Sequence, residues 1–385
     1  MKMISAIRKT MKKSMKRAAV ACMVLCLTLS CMACGSDKEG ASAKGTEVGS
    51  VAQGKTDGKL RIVTTIFPEY DWVREILGQN PAGAELTLLL DSGTDLHSYQ
   101  PTAEDIMRVS SCDMFIYVGG ESDKWVADAL KEATNPNMVV INLMDVLGDS
   151  AREEELVEGM QESDHDHDHD HEDADHDDDH DHEDADHDDD HDHEDADHDD
   201  DHDHQEAPEY DEHVWLSLKN AKRFVDVITE KLAALDTANA ETYKANAKTY
   251  SDALNKLDEE YAAVFANAKQ KTLLFGDRFP FRYMIEDYKL EYYAAFIGCS
   301  AETEASFETI TFLSGKVDEL GLKSIFVLEG SDQKIAETVR NNTKSKDQKI
   351  VKLNSMQGVT KAEIEGGAKY ISIMQTNLDA LKEAL

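Results

Sequence analysis

Cysteine is scarce where it would have to build a scaffold. Six cysteines occur in 385 residues, but four of them (Cys22, Cys26, Cys31 and Cys34) fall within the first 34 positions, and only Cys112 and Cys299 lie further on. Two thiols 187 positions apart make no disulfide framework. Long apolar runs are equally few. The sixteen residues from Ala18 to Ala33 form the only one, which excludes a polytopic membrane domain. Outside residues 2–17 there is no cluster of lysine or arginine, so the basic footprint of a nucleic-acid binder is missing as well.

What the chain has is negative charge, very unevenly placed. The formal charge of −38 divides into +7 from residues 1–33, −25 from residues 164–204 and −20 from everything else. The reading that follows is a basic leader, an ordinary moderately acidic body of about 300 residues, and one extreme insert.

Lys2, Arg8, Lys9, Lys12, Lys13, Lys16 and Arg17 precede the apolar run, which matches the basic and apolar regions of a secretory signal. The run ends Ser30-Cys-Met-Ala-Cys34-Gly-Ser, and cysteines after small residues suggest a bacterial lipoprotein signal over residues 1–33. Cys34 is the expected lipid site, with Cys31 as the alternative. Residues 34–58 lack apolar periodicity and read as a flexible tether. A lipid there anchors the body to the outer face of the cell membrane.

In the body, short β-branched or apolar runs alternate with helical stretches. Strands are expected at Leu60–Ile66, Glu85–Leu90, Met114–Val118, Met138–Ile141, Thr272–Phe275, Tyr292–Phe296, Ser324–Leu328 and Ile350–Leu353. A helix is expected to start at Thr102, where Thr102-x-x-Asp105 follows Pro101 as a capping box. The alternation predicts an α/β protein of two lobes with mainly parallel sheets. Tyr243, Ala247, Tyr250, Leu254, Leu257, Tyr261 and Val264 recur at spacings of four and three, predicting one long helix that joins the lobes stiffly. The corresponding boundaries are 59–163 for the N-terminal lobe and 164–204 for the insert. Residues 205–236 return to the first lobe, 237–268 form the linking helix, and 269–385 the C-terminal lobe.

The insert contains three identical copies of His-Glu-Asp-Ala-Asp-His-Asp-Asp-Asp-His-Asp over residues 171–203, after an Asp-His alternation from Asp164. It has no apolar face at any period and is expected to be disordered. Its histidines are His165, His167, His169, His171, His176, His180, His182, His187, His191, His193, His198, His202 and His204. Imidazoles interspersed with carboxylates suit multivalent, exchanging capture of zinc, nickel or copper. A solvated spacer or a pH-responsive brush are the plainer alternatives.

Setting the insert aside leaves two histidines, His97 and His213. His97 follows the strand at Glu85–Leu90, at the carboxyl end where α/β sheets place ligand sites. His213 lies in Asp211-Glu-His-Val-Trp215, where the insert ends. The leader, Val63-Thr-Thr-Ile-Phe-Pro68, His97-Ser-Tyr-Gln-Pro-Thr102, the His-rich loop and Asp211-Glu-His-Val-Trp-Leu216 together resemble the metal-ion ABC-transporter solute-binding lipoproteins. Within that zinc/manganese group (cluster A-I), the likeness is to the high-affinity zinc-uptake type. It runs collinearly over roughly residues 60–380.

The resemblance implies a metal cleft between two lobes joined by a rigid helix, with His97 and His213 as N-lobe ligands. It also implies delivery of the ion to a membrane permease driven by a cytoplasmic ATPase. The C-lobe departs from the family pattern. Its third ligand position falls on Gly276, in Phe275-Gly-Asp-Arg-Phe279, and its fourth on Asn354. Asp277, Glu329, Glu69 and Cys299 are the candidates to complete the site, as is a histidine of the insert.

Abundant imidazole favours Zn2+ as the transported ligand, with Mn2+ as the alternative. The function expected is that of a non-enzymic, monomeric metal receptor. A zinc-scavenging or storage lipoprotein without a transporter is the second reading. A metallohydrolase is the third, and no catalytic motif supports it.

Overall fold

The computed structural model describes residues 59–161, 209–300 and 303–385. The leader with Cys31 and Cys34, the tether and the insert with its thirteen histidines lie outside the described residues.

Strands β1 (Arg61–Thr64), β2 (Glu85–Leu88), β3 (Met114–Tyr117) and β4 (Val139–Asn142) form one sheet in the order β2-β1-β3-β4. Strands β5 (Thr272–Phe279), β6 (Glu291–Ile297), β7 (Ser324–Leu328) and β8 (Lys349–Leu353) form a second, ordered β6-β5-β7-β8. Every pairing is parallel. Parallel strands need crossovers, and helices supply them: α1 (Phe67–Leu77), α2 (Ala103–Ser111) and α3 (Val126–Lys131) in the first lobe, with α4 (Leu143–Leu147) following β4. In the second lobe the corresponding helices are α7 (Arg282–Tyr288), α8 (Phe307–Leu320) and α9 (Lys334–Asn342). Between the sheets run α5 (Leu218–Leu235) and α6 (Ala240–Asn267), and the chain closes with α10 (Lys361–Glu365) and α11 (Tyr370–Ala384).

All eight expected strands are present. The capping box is present too: the Asp105 amide donates to Thr102 Oγ1 (3.2 Å) while Asp105 Oδ2 accepts from the Thr102 amide (3.0 Å). The one substantial difference is β5, which continues to Phe279 rather than ending at Phe275. It does so through an irregularity between Phe275 and Arg278. Gly276 sits at that point, and a Cβ added there would lie 2.6 Å from Cα of Ala336 in α9. The strand needs glycine so that the helix backbone can pass.

Helix α6 spans 28 residues, about 42 Å at 1.5 Å per residue. Its buried stripe is Tyr243, Ala247, Tyr250, Leu254, Leu257 and Tyr261, with Val264 partly buried. Near its start Asn246 Nδ2 donates to Ile76 O (3.0 Å), and further on Tyr261 Oη donates to Met374 O (2.6 Å). One continuous apolar core runs from Ile62 and Trp72 through α5 and α6 to Phe275, Phe326 and Leu378. A separate, smaller core packs α8 and α9 on the outer face of the second sheet. Among the described residues no helix is long and apolar enough to cross a membrane.

Candidate metal centre

The carboxyl ends of both sheets face the same space, and the side chains that matter sit on the loops there. After β2 the chain turns through a single 3-10 turn, Leu96–Ser98, whose start is fixed by Asp95 Oδ1 accepting from the His97 amide (3.0 Å). His213 precedes another such turn, Val214–Leu216, and Asp211 Oδ1 accepts from the His213 amide (2.8 Å). Trp215 locks that turn by donating Nε1–H to Ser355 O (2.8 Å). These constraints bring His97 Nε2 and His213 Nε2 to 3.1 Å from each other, although 116 residues separate them. His213 is fully buried and His97 nearly so.

The other ring nitrogens fix the tautomers. His213 Nδ1 lies 3.0 Å from Asp211 Oδ1. His97 Nδ1 lies 2.8 Å from Ser122 Oγ and 3.4 Å from Glu212 Oε2. Glu212 is held in turn by the Ser122 amide, which donates to Oε1 (2.8 Å). Carboxylates only accept, so each Nδ1 carries the proton and each Nε2 presents a lone pair. Two lone pairs 3.1 Å apart repel unless a cation stands between them. Zinc–nitrogen bonds of about 2.0–2.1 Å at a tetrahedral angle put two nitrogens roughly 3.3–3.4 Å apart, close to the separation observed. A carboxylate behind each imidazole is the arrangement that orients metal-binding histidines.

Negative charge collects around the pair. Glu154, on the segment leading to the insert, is grouped with Asp211 and His213, their ligand atoms lying within 4.8 Å of one another. Asp211 Oδ2 is buried and accepts no hydrogen bond, and Glu212 Oε2, buried as well, has only the 3.4 Å approach of His97 Nδ1. Burial acts to lower the His213 pKa, but the carboxylates of Asp211, Glu154 and Glu212 outweigh it and raise the value. Burial acts to raise the Glu212 pKa, and hydrogen bonds from His97 and Ser122 outweigh that, holding it down. The surroundings favour positive charge at His213, whether a proton or a metal ion brings it.

The remaining sequence candidates have different occupations. Asp277 accepts from the Arg278 amide (2.9 Å) and the Leu328 amide (3.1 Å), and Arg278 itself pairs with Asp95 (2.7 Å). Glu329 accepts from the Ser355 amide and hydroxyl, each at 2.8 Å. Both acids line a cleft of about 530 Å³ that borders the histidines through Asp95 and Gln357, but neither joins them in a ligand cluster among the described residues. Glu69 closes the capping box of α1, accepting from the Thr65 and Ile66 amides. Burial, reinforced by Asp123, pushes its pKa up to about 8, and its hydrogen bonds tie it to the start of α1 rather than to the histidines. Cys299, by contrast, does approach: His97, His213 and Cys299 offer ligand atoms within 4.8 Å of one another. Cys112 is a buried core residue.

Sequence reasoning missed Glu154, Ser122 and Gln357, whose Nε2 donates to His213 Nε2 (2.8 Å). No local pattern marks them. Asp211 and Glu212 were within reach, because they stand next to His213 in the same motif.

Two parallel-sheet lobes share a helical frame, and the paired histidines stand where their strand ends face each other. The sequence model of the family described as "Zinc-uptake complex component A periplasmic" matches residues 62–384, and the chain belongs to that family. It is 29% identical over 330 residues to the zinc-binding protein AdcA of Streptococcus pyogenes serotype M18, covering 85% of this chain and 56% of that protein. The chain thus spans little more than half the length of the AdcA relatives it matches. It is 29% identical to the high-affinity zinc uptake system protein ZnuA of Bacillus subtilis, covering 92% of this chain and 93% of that one. The Zn(II)-bound ZnuA-like domain of Streptococcus pneumoniae AdcA superposes with a TM-score of 0.60 at 26% identity, covering 85% of this chain and 99% of that domain.

Proposed function

We propose that the chain is the extracytoplasmic receptor of a metal ABC importer, capturing Zn2+ between His97 and His213 and passing it to a membrane permease with its cytoplasmic ATPase. The observation that carries this is the pair of Nε2 lone pairs at 3.1 Å, each imidazole backed by a carboxylate. Such a pair calls for a cation between its two nitrogens, and two imidazoles so placed chelate a metal ion. The zinc named in its relatives favours Zn2+ over Mn2+, as does nitrogen ligation. In this reading Cys34 carries the lipid that holds the protein at the membrane. The insert 164–204 acts as an accessory reservoir of weak sites. The lobes take residues 59–163 with 205–236, and 269–385, on the linking helix 237–268.

Changing His97→Ala and His213→Ala together in the full chain tests this. Competition against a chromophoric chelator is expected to show one tight zinc site lost, with weak uptake of several ions kept. Tight binding that survives the double change would assign the site elsewhere. A storage protein instead predicts that deleting 164–204 removes tight binding altogether.

A further inference from the structure

We infer that Cys299 supplies the third protein ligand of the zinc site, its thiolate arriving from the end of β6 to do what position 276 cannot. The inference rests on the reading of His97 and His213 as ligands and names the group that completes them.

Position 276 is closed to any side chain, since an added Cβ would point into the first turn of α9, 2.6–2.8 Å from Ala336. The second lobe reaches the histidines from other strand ends: the loop after β8 brings the Gln357 amide to 2.8 Å from His213 Nε2, and the loop after β6 brings Cys299, which among the described residues is the one His, Cys, Asp or Glu of that lobe grouped with them. Gly298 makes that approach possible: a Cβ there would lie 2.9 Å from His213 Cε1, 3.0 Å from His213 Nδ1 and 3.0 Å from Phe279 O. The next residue, Cys299, then places its sulfur within 4.8 Å of the histidine ligand atoms. Glu154 Oε1 accepts from the Cys299 amide (3.3 Å) and steadies the loop.

A zinc ion with bonds of about 2.0–2.1 Å to nitrogen and 2.3 Å to sulfur holds such donors roughly 3.3–3.8 Å apart, a scale comparable with the 4.8 Å within which the trio is grouped. Zinc binds the thiolate, so the thiol proton leaves to solvent as the Zn–S bond forms. Two imidazoles and a thiolate leave one position for water, which suits an ion that must later be released. They also discriminate: thiolate sulfur favours zinc, whereas manganese prefers oxygen.

Cobalt(II) is the probe, because the insert has many histidines but no sulfur. In the full chain, cobalt should give a near-ultraviolet sulfur-to-metal charge-transfer band that zinc displaces. Cys299→Ser should abolish the band and weaken tight zinc binding at least tenfold, while Cys112→Ser keeps both. In the unaltered chain, zinc should also slow alkylation of Cys299 by iodoacetamide, followed by peptide mass mapping, a readout that needs no variant to fold. A band that is missing, or that persists in Cys299→Ser, overturns the thiolate ligand, as does alkylation that zinc leaves unchanged. If His97→Ala/His213→Ala nevertheless loses tight zinc, the receptor reading stands. Tight zinc that survives that double change removes the centre itself, and Cys299 with it.

Discussion

At the scale of single residues, the tripeptide Asp211-Glu212-His213 does three jobs in one turn of chain. His213 faces the ion position, Asp211 holds the far side of its own neighbour's ring, and Glu212 reaches the far side of His97. A carboxylate in that place fixes the tautomer and raises the basicity of the bound nitrogen, and removing such a partner costs typically about 10–100-fold in metal affinity. Asp211→Asn is therefore expected to weaken tight zinc binding by about that factor while His97 and His213 are both retained. The chelator competition already described measures it, and an unchanged affinity would leave the carboxylate a structural role only. The two histidines were legible because discounting the insert isolated them. Glu154, Gln357 and the approach of Cys299 were not, because each acquires its meaning only from a chain segment at least 57 residues away that folding brings alongside.

At the scale of elements, the strands could be read from their β-branched and apolar runs, and α6 from a stripe spaced four and three. Such patterns report which face a segment buries. They say nothing about what passes over a glycine. Gly276 looked like a ligand position that had lost its side chain; the structure shows a bulged strand with α9 pressed against it. The two accounts differ in outcome. Gly276→Ala should destabilise the protein by about 1–3 kcal/mol in a urea titration, the usual cost of forcing atoms into a packed interior. The affinity of the folded fraction for zinc should stay the same. Gly276→His, which puts an imidazole at that position, should cost more stability and add no affinity. If the histidine variant instead bound zinc more tightly without loss of stability, the position would be a vacant ligand site rather than a packing constraint.

At the scale of the whole molecule, the question is whether the lobes swing about the ion or hold still around it. Hinged receptors place a few adaptable residues between separate cores. Here one apolar core is continuous through both lobes, and α6 is tied by Asn246 to α1 and by Tyr261 to α11. The loops are cross-braced as well. Asp95 pairs with Arg278, the Lys361 amide donates to Asp91 O (2.7 Å), and Tyr370 Oη donates to Trp215 O (2.6 Å). Rotation of one lobe would have to break these contacts and open the core together, so capture is expected to work by settling loops on a fixed frame. Hydrogen exchange distinguishes the cases, since local opening of a braced helix interior requires disrupting the core around it. Amides in the middle of α6 should exchange slowly with and without zinc. Protection on adding zinc should concentrate at 91–98, 211–217, 298–299 and 355–361. Rapid exchange along α6 in the metal-free protein, slowed by zinc, would mean that the helix is the moving part and the frame is assembled by the ion.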